Sequence, residues 1–170
     1  VGSEMCIRDR YLIDQLQYTG AVSRTAGTGG MQSLRLDFNH PCKELVWVER
    51  QTTRAATTGF PTDFADIGTQ GSSALLQLNG HDRFAKRPMS YFTRVQPMQH
   101  HTNVPHGDRI GVYSFGLRPE DHQPSGTCNF SRIDNATLQL TLAHANGQAN
   151  EFQVYATNYN VLRIMSGMGG

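Results

Sequence analysis

Alternation of apolar and polar residues is the feature of this sequence that most restricts its fold. It occurs in "SLRLDF" (33–38), "ATLQLTLAH" (136–144) and "EFQVYATNY" (151–159), where apolar residues fall at every second position. Successive side chains of a β-strand point to opposite faces, so these segments predict strands with one buried face. The run "LVWV" (45–48) is rich in β-forming residues and predicts a more deeply buried strand.

The segments between these strands carry turn signals instead of amphipathic helices. Asn79-Gly80 tolerates positive φ and predicts a sharp bend or hairpin. "HANGQAN" (144–150) predicts a hairpin loop between the last two strands, and "NHP" (39–41) predicts an antiparallel pair or a corner. Residues 51–73 lack periodicity and predict a long excursion. Strands joined in this way favour an all-β sandwich or jelly roll over a βαβ fold.

Two short helical turns are expected beside the strands. In "RPMSYFTRVQPM" (87–98), Tyr91, Phe92 and Val95 share a helical face, and Pro97 is expected to end the helix. Residues 11–16 predict a similar turn with its apolar side chains inward. In the strand "RIGVYSFGL" (109–117), we expect inward side chains at Ile110, Val112, Phe115 and Leu117.

The composition limits the size and the partners of the chain. With 170 residues, 38% of them hydrophobic, it is long enough to bury one core. The formal net charge is +1, and no apolar run approaches the roughly 18 residues that span a bilayer. We therefore expect no nucleic-acid partner and no direct membrane insertion.

The first ten residues, "VGSEMCIRDR", match nothing downstream in pattern or composition. Residues 4–9 can be written in codons as GAG ATG TGT ATA AGA GAC, which resembles the end of a transposase sequencing adapter translated in frame. We interpret residues 1–10 as a translated adapter and exclude them from the fold prediction. On this interpretation the domain comprises residues 11–170, and the natural chain begins upstream of Tyr11.

The two remaining cysteines, Cys42 and Cys128, have no CxxC spacing and indicate neither a zinc site nor a disulfide framework. Free cysteines are among the most buried residue types, so we interpret both as small buried hydrophobes. A single bridge between them is the alternative.

The strongest indication of an enzyme is a group of histidines. His106-Gly107-Asp108 matches the HxD half of a two-histidine, one-carboxylate iron site, and His144 is a candidate for the distal ligand. This chemistry occurs on jelly-roll barrels, so a cupin-like or 2-oxoglutarate-type iron oxygenase is the alternative function. Against it, His106 and Asp108 lie beside Pro105 and Gly107, in what reads as a loop instead of a strand.

Several longer stretches together resemble one protein family. They are "LDFNHPCKELVWV", "LQLNGHDRF", "YFTRVQPMQHHTNVP", "GVYSFGLRPEDHQPSGTCNFSRIDNATLQL" and "VYATNYNVLRIMSGMGG". In order and spacing they are similar to the second jelly-roll domain of the major capsid protein of nucleocytoplasmic large DNA viruses, the phycodnavirus, mimivirus and iridovirus group. The resemblance implies an all-β jelly-roll β-sandwich with one or two short helices, the second half of a double jelly roll.

The resemblance also implies the role and the partners of the chain. Three copies of such a protein form a pseudo-hexagonal capsomer of an icosahedral virion capsid, alongside neighbouring capsomers and minor capsid proteins, and assembly takes place in the cytoplasm of the infected host cell. The family is not enzymatic, so the resemblance implies no catalytic residue, cofactor or metal. Family members carry a first jelly roll and the opening strand of the second one before the position of Tyr11. We therefore expect a domain that lacks its first strand and is truncated at both ends.

The residues that carry the resemblance form a structural motif that is concentrated in "LRPEDHQPSGTCNFSRIDN" (117–135), which we call the corner segment. The motif consists of Asn39, His40, Pro41, Asn79, Gly80, Pro119, Glu120, Gln123, Pro124, Ser125, Gly126, Asn129, Ser131, Asn158 and Tyr159. Proline fixes φ and glycine permits turns closed to other residues, so the segment is expected to connect two strands along a defined path.

Overall fold

The structure is a computed structural model that describes residues 8–24, 29–52, 64–143, 149–165 and 168–169. Its strands form two antiparallel sheets, here called sheet A and sheet B. The strands are β1 (Arg8–Arg24), β2 (Gly30–Arg35), β3 (Pro41–Gln51), β4 (Ser73–Leu78), β5 (His81–Asp82), β6 (Arg87–Pro88), β7 (Ile110–Ser114), β8 (Cys128–Asn129), β9 (Ala136–Leu142), β10 (Asn150–Met165) and β11 (Met168–Gly169).

The strand order is that of a jelly roll. Sheet A has the order β1-β10-β3-β7, with β8 paired to β3 and β11 to β10. Sheet B has the order β2-β9-β4-β5, with β6 paired to β4. The long strands alternate between the sheets along the chain, so each sheet is built from segments that are distant in sequence. This arrangement confirms the predicted all-β jelly-roll sandwich.

The core lies between the two sheets and is filled by the predicted inward positions. The side chains of Leu34, Leu36, Phe38, Leu138, Leu140, Leu142, Phe152, Val154 and Ala156 are all buried. Trp47 of β3 packs against Phe92 with ring centroids 5.4 Å apart. Gly111 of β7 lies opposite Trp47, and a Cβ at Gly111 would come within 2.3 Å of the indole ring. The glycine in "RIGVYSFGL" therefore makes room for the single tryptophan.

The predicted hairpin at Asn79-Gly80 is confirmed. Leu78 pairs with His81, so the two residues form the whole loop. Their φ angles are 51° and 80°, and positive φ at both central residues is what a type I′ turn requires. The predicted break at 39–41 is a corner, because β2 and β3 belong to different sheets and His40 between them has φ of 68°.

The predicted helix is present, but its predicted end is wrong. A π-helical turn, Tyr91–Val95, runs directly into α1, Gln96–His100. Pro97 lies inside the helical run that continues from the π-helical turn, so its missing N–H removes a hydrogen bond there without ending the helix. Of the expected inward face, Phe92 is buried, whereas Tyr91 and Val95 are half-buried.

The predicted turn at residues 11–16 is wrong, because these residues belong to β1 and pair with β10. Of the three residues expected to face inward, Leu16 is 69% exposed, whereas Leu12 and Ile13 are half-buried. We expected the first strand of the domain to be missing, which would leave an edge of the sheet unpaired. In the structure, β1 pairs with β10 at the edge of sheet A. It begins at Arg8, so part of the excluded segment pairs within the sheet. The adapter origin of residues 1–10 stays a prediction.

Three further differences concern connections. The predicted hairpin between β9 and β10 is wrong, because β9 belongs to sheet B and β10 to sheet A; residues 144–148 themselves lie outside the described residues. Of the inward positions expected in "RIGVYSFGL", Phe115 packs against the core, but Val112 pairs with Val46 on the opposite face of sheet A from Trp47. Leu117 is 73% exposed, because β7 ends at Ser114 and the chain turns away from the sheet. Of the long excursion at 51–73, residues 53–63 lie outside the described part.

Cys42 and Cys128 face each other across the β3–β8 pair and are free thiols. Cys42 is fully buried, and this burial raises the pKa of its thiol far above its usual range. Cys128 is half-buried. The buried-hydrophobe interpretation is therefore confirmed for Cys42 and holds in part for Cys128. Among the described residues, no helix is long and apolar enough to cross a membrane.

An ion pair lies inside the sandwich on sheet A. Arg24 of β1 and Glu49 of β3 are 3% and 0% exposed, and Nη1 of Arg24 donates to Oε1 of Glu49 at 2.6 Å. The side-chain amide of Asn150 in β10 donates to the same oxygen at 2.6 Å. One carboxylate therefore ties together three neighbouring strands from the inside.

Candidate assembly corner

The corner segment is tied to the start of β3 by backbone and side-chain hydrogen bonds. The backbone N–H of His40 donates to Oγ of Ser131 at 2.8 Å, and the N–H of Phe130 donates to the carbonyl of His40 at 3.1 Å. Oδ1 of Asn129 accepts from the N–H of Ser131 at 3.1 Å and caps the 3-10 turn Phe130–Arg132. Asn129 also pairs with Pro41 in the sheet. Four motif residues therefore meet at one joint.

Asn158 extends this joint to β10. It is fully buried, and its side-chain amide donates to the backbone carbonyl of Asn39 at 2.8 Å. The N–H of Asn39 in turn donates to Oε1 of Gln17 in β1 at 2.9 Å. The chain thus leaves sheet B and enters sheet A at a corner whose polar groups are held by strands distant in sequence.

Lys43 anchors the next part of the corner segment to sheet A. Its side chain is 4% exposed and lies 3.4 Å from Oδ2 of Asp14. Nζ donates to the backbone carbonyl of Asp121 at 3.1 Å and lies 4.8 Å from the ring centroid of Tyr159, a cation–π distance. The Tyr159 hydroxyl donates to the carbonyl of His122 at 3.2 Å.

A second anchor involves Glu120. Its carboxylate accepts hydrogen bonds from the backbone N–H of Thr102, at 3.0 Å, and from the Thr102 hydroxyl. Its Oε1 lies 3.0 Å from Nδ1 of His101, and Nε2 of His101 lies 2.7 Å from Oε2 of Glu44 in β3. The bonds from Thr102, followed by the one from His101, lower the pKa of Glu120 below its usual value.

The return of the corner segment is a close crossing of two backbones. Oγ of Ser125 accepts from the N–H of Arg118 at 2.9 Å. Gly126 has φ of +141°, and a Cβ there would lie 2.9 Å from the carbonyl oxygen of Phe115 and 3.2 Å from Cα of Gly116. Only glycine fits between these backbone atoms without a shift.

The remaining motif residues are those of the Asn79-Gly80 turn and three residues within the corner segment. Oδ1 of Asn79 accepts from the N–H groups of Asp134 and Asn135 at 3.0 and 3.2 Å, so the Asn79-Gly80 turn holds the far end of the corner segment. Pro119 is buried, whereas Gln123 and Pro124 are exposed.

Sequence reasoning missed three anchoring residues, Lys43, Glu44 and His101. The signal for Lys43 and Glu44 is a pair of charged residues at the start of the apolar strand "CKELVWV", and His101 belongs to the histidine-rich stretch "HHTNVPHGD". The partner of each charge comes from a distant segment, so neither spacing nor periodicity could have identified it.

The geometry around Asp108 does not match the iron site. Its two carboxylate oxygens accept from Nε and Nη2 of Arg94, each at 2.6 Å, and Oδ1 accepts from the Thr93 hydroxyl at 3.0 Å. His106 is exposed, and His144 lies outside the described residues. Within the described ranges, no three His, Cys, Asp or Glu side chains are grouped as metal ligands would be. Asp108 instead anchors its loop to the helical turn that carries Thr93 and Arg94.

The acid sensitivity of the fold should depend in part on Asp108. Hydrogen bonds from Arg94 lower the pKa of Asp108, against the opposing effect of its partial burial. A carboxyl group with a lowered pKa stabilises the fold above its unfolded value of about 3.9, and this contribution is lost as the pH falls through the folded value. We expect Asp108→Asn to lose less stability than wild type between pH 6 and pH 2.5, measured by urea denaturation.

The control for this experiment is Asp37→Asn, which removes one partner of the exposed Arg35–Asp37 pair. Exposed ion pairs contribute little to the free energy of unfolding, so the stability of this variant should follow the wild-type pH profile. An Asp108→Asn variant that also followed the wild-type profile would contradict the anchor role.

Comparisons with known proteins all match this chain to major capsid proteins of large DNA viruses. A family model described as "Large eukaryotic DNA virus major capsid protein" matches residues 5–170. The chain is 46% identical to the major capsid protein of Pyramimonas orientalis virus, over 96% of this chain and 43% of that protein. It is 42% identical to the major capsid protein of Paramecium bursaria Chlorella virus 1, over 94% of this chain and 47% of that protein. The chain thus spans less than half the length of these relatives.

The fold is also similar to a solved structure. A crystal structure of PBCV-1 VP54, fitted into a cryo-EM reconstruction of the virophage Sputnik, superposes with a TM-score of 0.79 and 38% identity. The superposition covers 96% of this chain and 51% of that one. Sequence and fold comparisons therefore agree, and they favour a capsid subunit over the oxygenase alternative.

Proposed function

This chain belongs to the family of large eukaryotic DNA virus major capsid proteins, and from this membership we propose that it is the C-terminal jelly-roll domain of such a protein. In this proposal, three copies of the complete polypeptide form a pseudo-hexagonal capsomer. Neighbouring capsomers and minor capsid proteins are the further partners, and assembly takes place in the host cytoplasm. The role is structural, and no side chain of the corner is assigned a catalytic step.

An apolar surface on the outside of sheet A is the observation that carries the proposal. Tyr18, Tyr155 and Val46 lie in register across three adjacent strands, and Leu16 lies one row away. We call these four residues the outer apolar patch. The rings of Tyr18 and Tyr155 stack with centroids 4.9 Å apart, and Leu16 and Tyr18 are 69% and 47% exposed. Contiguous exposed apolar surface of this kind marks an interaction site.

The charges around the patch indicate the chemistry of its partner. Arg50 pairs with Glu151 at 3.2 Å on one side, and Glu44 lies 2.7 Å from His101 on the other. These charges have partners within the chain, so the patch offers no excess charge to a binding partner. An apolar surface of a neighbouring copy of the capsid protein fits it, as in permanent assemblies with hydrophobic interface centres.

Leu16→Arg should therefore weaken trimer formation by the complete capsid polypeptide without unfolding it. An arginine buried in an apolar interface loses water without gaining a partner, whereas an exposed substitution costs the free subunit little. Trimers are to be measured by mass photometry, and their pseudo-hexagonal outline by negative-stain electron microscopy. The expected result is a loss of at least about tenfold in trimer affinity.

Met31→Arg is the matched control, because Met31 is 63% exposed on sheet B and the variant likewise replaces an exposed apolar side chain by arginine. It should leave trimers intact. If Leu16→Arg trimers form like wild type, the outer apolar patch is not a subunit contact. If the wild-type polypeptide itself forms no trimers, the capsomer proposal fails.

A further inference from the structure

A single histidine bridges two carboxylates at the centre of the corner. His101 follows α1, and its two ring nitrogens lie 2.7 Å from Glu44 and 3.0 Å from Glu120. The side chains of His101 and Glu44 are only 19% and 13% exposed, whereas that of Glu120 is 44% exposed. The bridge therefore connects the corner segment to β3 through a ring that is largely withdrawn from water.

The protonation state of the ring decides whether both contacts are hydrogen bonds. A neutral imidazole has one N–H donor and one lone pair, so it can donate to only one carboxylate and presents its lone pair to the other. An imidazolium donates to both, and hydrogen bonds between charged groups are the stronger class. We propose that His101 is a protonation-dependent latch that holds the corner segment to β3.

The charged groups near the ring, other than the two carboxylates that it bridges, have partners of their own. From β3, Glu44 faces the ring, and the adjacent Lys43 is directed to Asp14 and to the carbonyl of Asp121. From the corner segment, Glu120 faces the ring, and Asp121 lies 3.9 Å from Arg118. From its own segment, Nδ1 of His100 contacts the carbonyl of Leu117 at 3.0 Å. Both ring nitrogens of His101 therefore face carboxylates, and only the imidazolium can donate to both of them.

The latch has a limit on each side of the pH scale. Toward alkaline pH, the bridge weakens because a neutral ring donates to only one of the two carboxylates. Toward acid pH, the bridge is lost when Glu120 is protonated. Since the pKa of Glu120 is lowered, its contribution is present above the unfolded value of about 4.3 and disappears only as the pH falls through the folded value. The bridge is therefore strongest where the ring of His101 is charged and the carboxyl group of Glu120 is ionised.

Hydrogen exchange followed by mass spectrometry tests the latch in the complete capsid polypeptide. Peptides covering residues 115–127 report on the corner segment, after correction for the intrinsic dependence of exchange on pH. Wild type should show about tenfold greater protection at pH 5.5 than at pH 8. His101→Gln should remove this difference, and Glu44→Gln should reduce it.

His106→Gln is the control, because His106 is an exposed histidine on another loop; it should keep the wild-type difference. A flat profile in wild type would overturn the latch without the need for any variant, and so would a wild-type profile in His101→Gln. The latch consists of contacts within this chain, so the experiment tests it independently of trimer formation.

Discussion

Glu49→Ala should lower the free energy of unfolding by about 3–5 kcal/mol, the largest effect that we expect from a single substitution in this chain. Glu49 and its partner Arg24 are both buried, and Nη1 of Arg24 lies 2.6 Å from Oε1 of Glu49. Removal of the carboxylate takes away the buried charge that Nη1 of Arg24 contacts, and breaking a buried ion pair on one side is strongly destabilising. It also removes the acceptor of the Asn150 side-chain amide, a second cost of the same kind.

Urea denaturation at pH 7, followed by tryptophan fluorescence of Trp47, measures this effect. The expected loss is a large fraction of the 5–15 kcal/mol that typically stabilises a domain. Asp37→Ala is the control, because it breaks the exposed pair with Arg35 and should change stability by no more than about 0.5 kcal/mol. Equal effects of the two variants would show that the buried pair does not hold β1, β3 and β10 together.

The strands that could be predicted are those with one buried and one exposed face. Leu138, Leu140 and Leu142 are buried at every second position, because β9 lies in the middle of sheet B with one face on the core. Period-two alternation is the direct consequence of that position. The Asn79-Gly80 turn was predictable for a similar local reason, since the φ angles depend on the two residues themselves.

Strand β1 was not predictable in the same way. It lies at the edge of sheet A, and apolar residues such as Tyr11 and Leu16 are exposed there. Exposure alternates from residue 13 to residue 19, but the half-buried positions include Gln15 and Gln17. The apolar residues therefore do not mark the inner face, and only the pairing with β10 shows that β1 is a strand. The wrong hairpin between β9 and β10 has a related cause, because turn residues do not reveal whether the next strand stays in the same sheet.

The motif residues of the corner could be located from the sequence, but their partners could not. The prolines and glycines of the corner segment indicated a defined turn. The bonds that hold it come from β3, β10 and the residue after α1, through Lys43, Tyr159 and His101. Each of these contacts joins residues at least 19 positions apart, beyond the reach of any local pattern.

The second large effect is expected at the tightest point of this corner. Gly126→Ala should lower the free energy of unfolding by about 2–4 kcal/mol, from two causes. The φ of +141° is one that L side chains rarely adopt, and the new methyl group would lie 2.9 Å from the carbonyl oxygen of Phe115. This oxygen and the next nearest atom, Cα of Gly116, belong to the backbone, so neither can move aside as a flexible side chain would. The same urea measurement at pH 7 determines the loss.

Gly107→Ala separates the two causes. Gly107 also has a positive φ, +84°, but a Cβ there would meet nothing within 4 Å. This control should lower the free energy of unfolding by only about 1–2 kcal/mol, because only the unfavourable backbone conformation contributes. The difference between the two variants then measures the crossing of the corner segment over the end of β7. Equal losses would mean that the corner yields to an added methyl group, and its close backbone contact would then not be what sets the path of the chain.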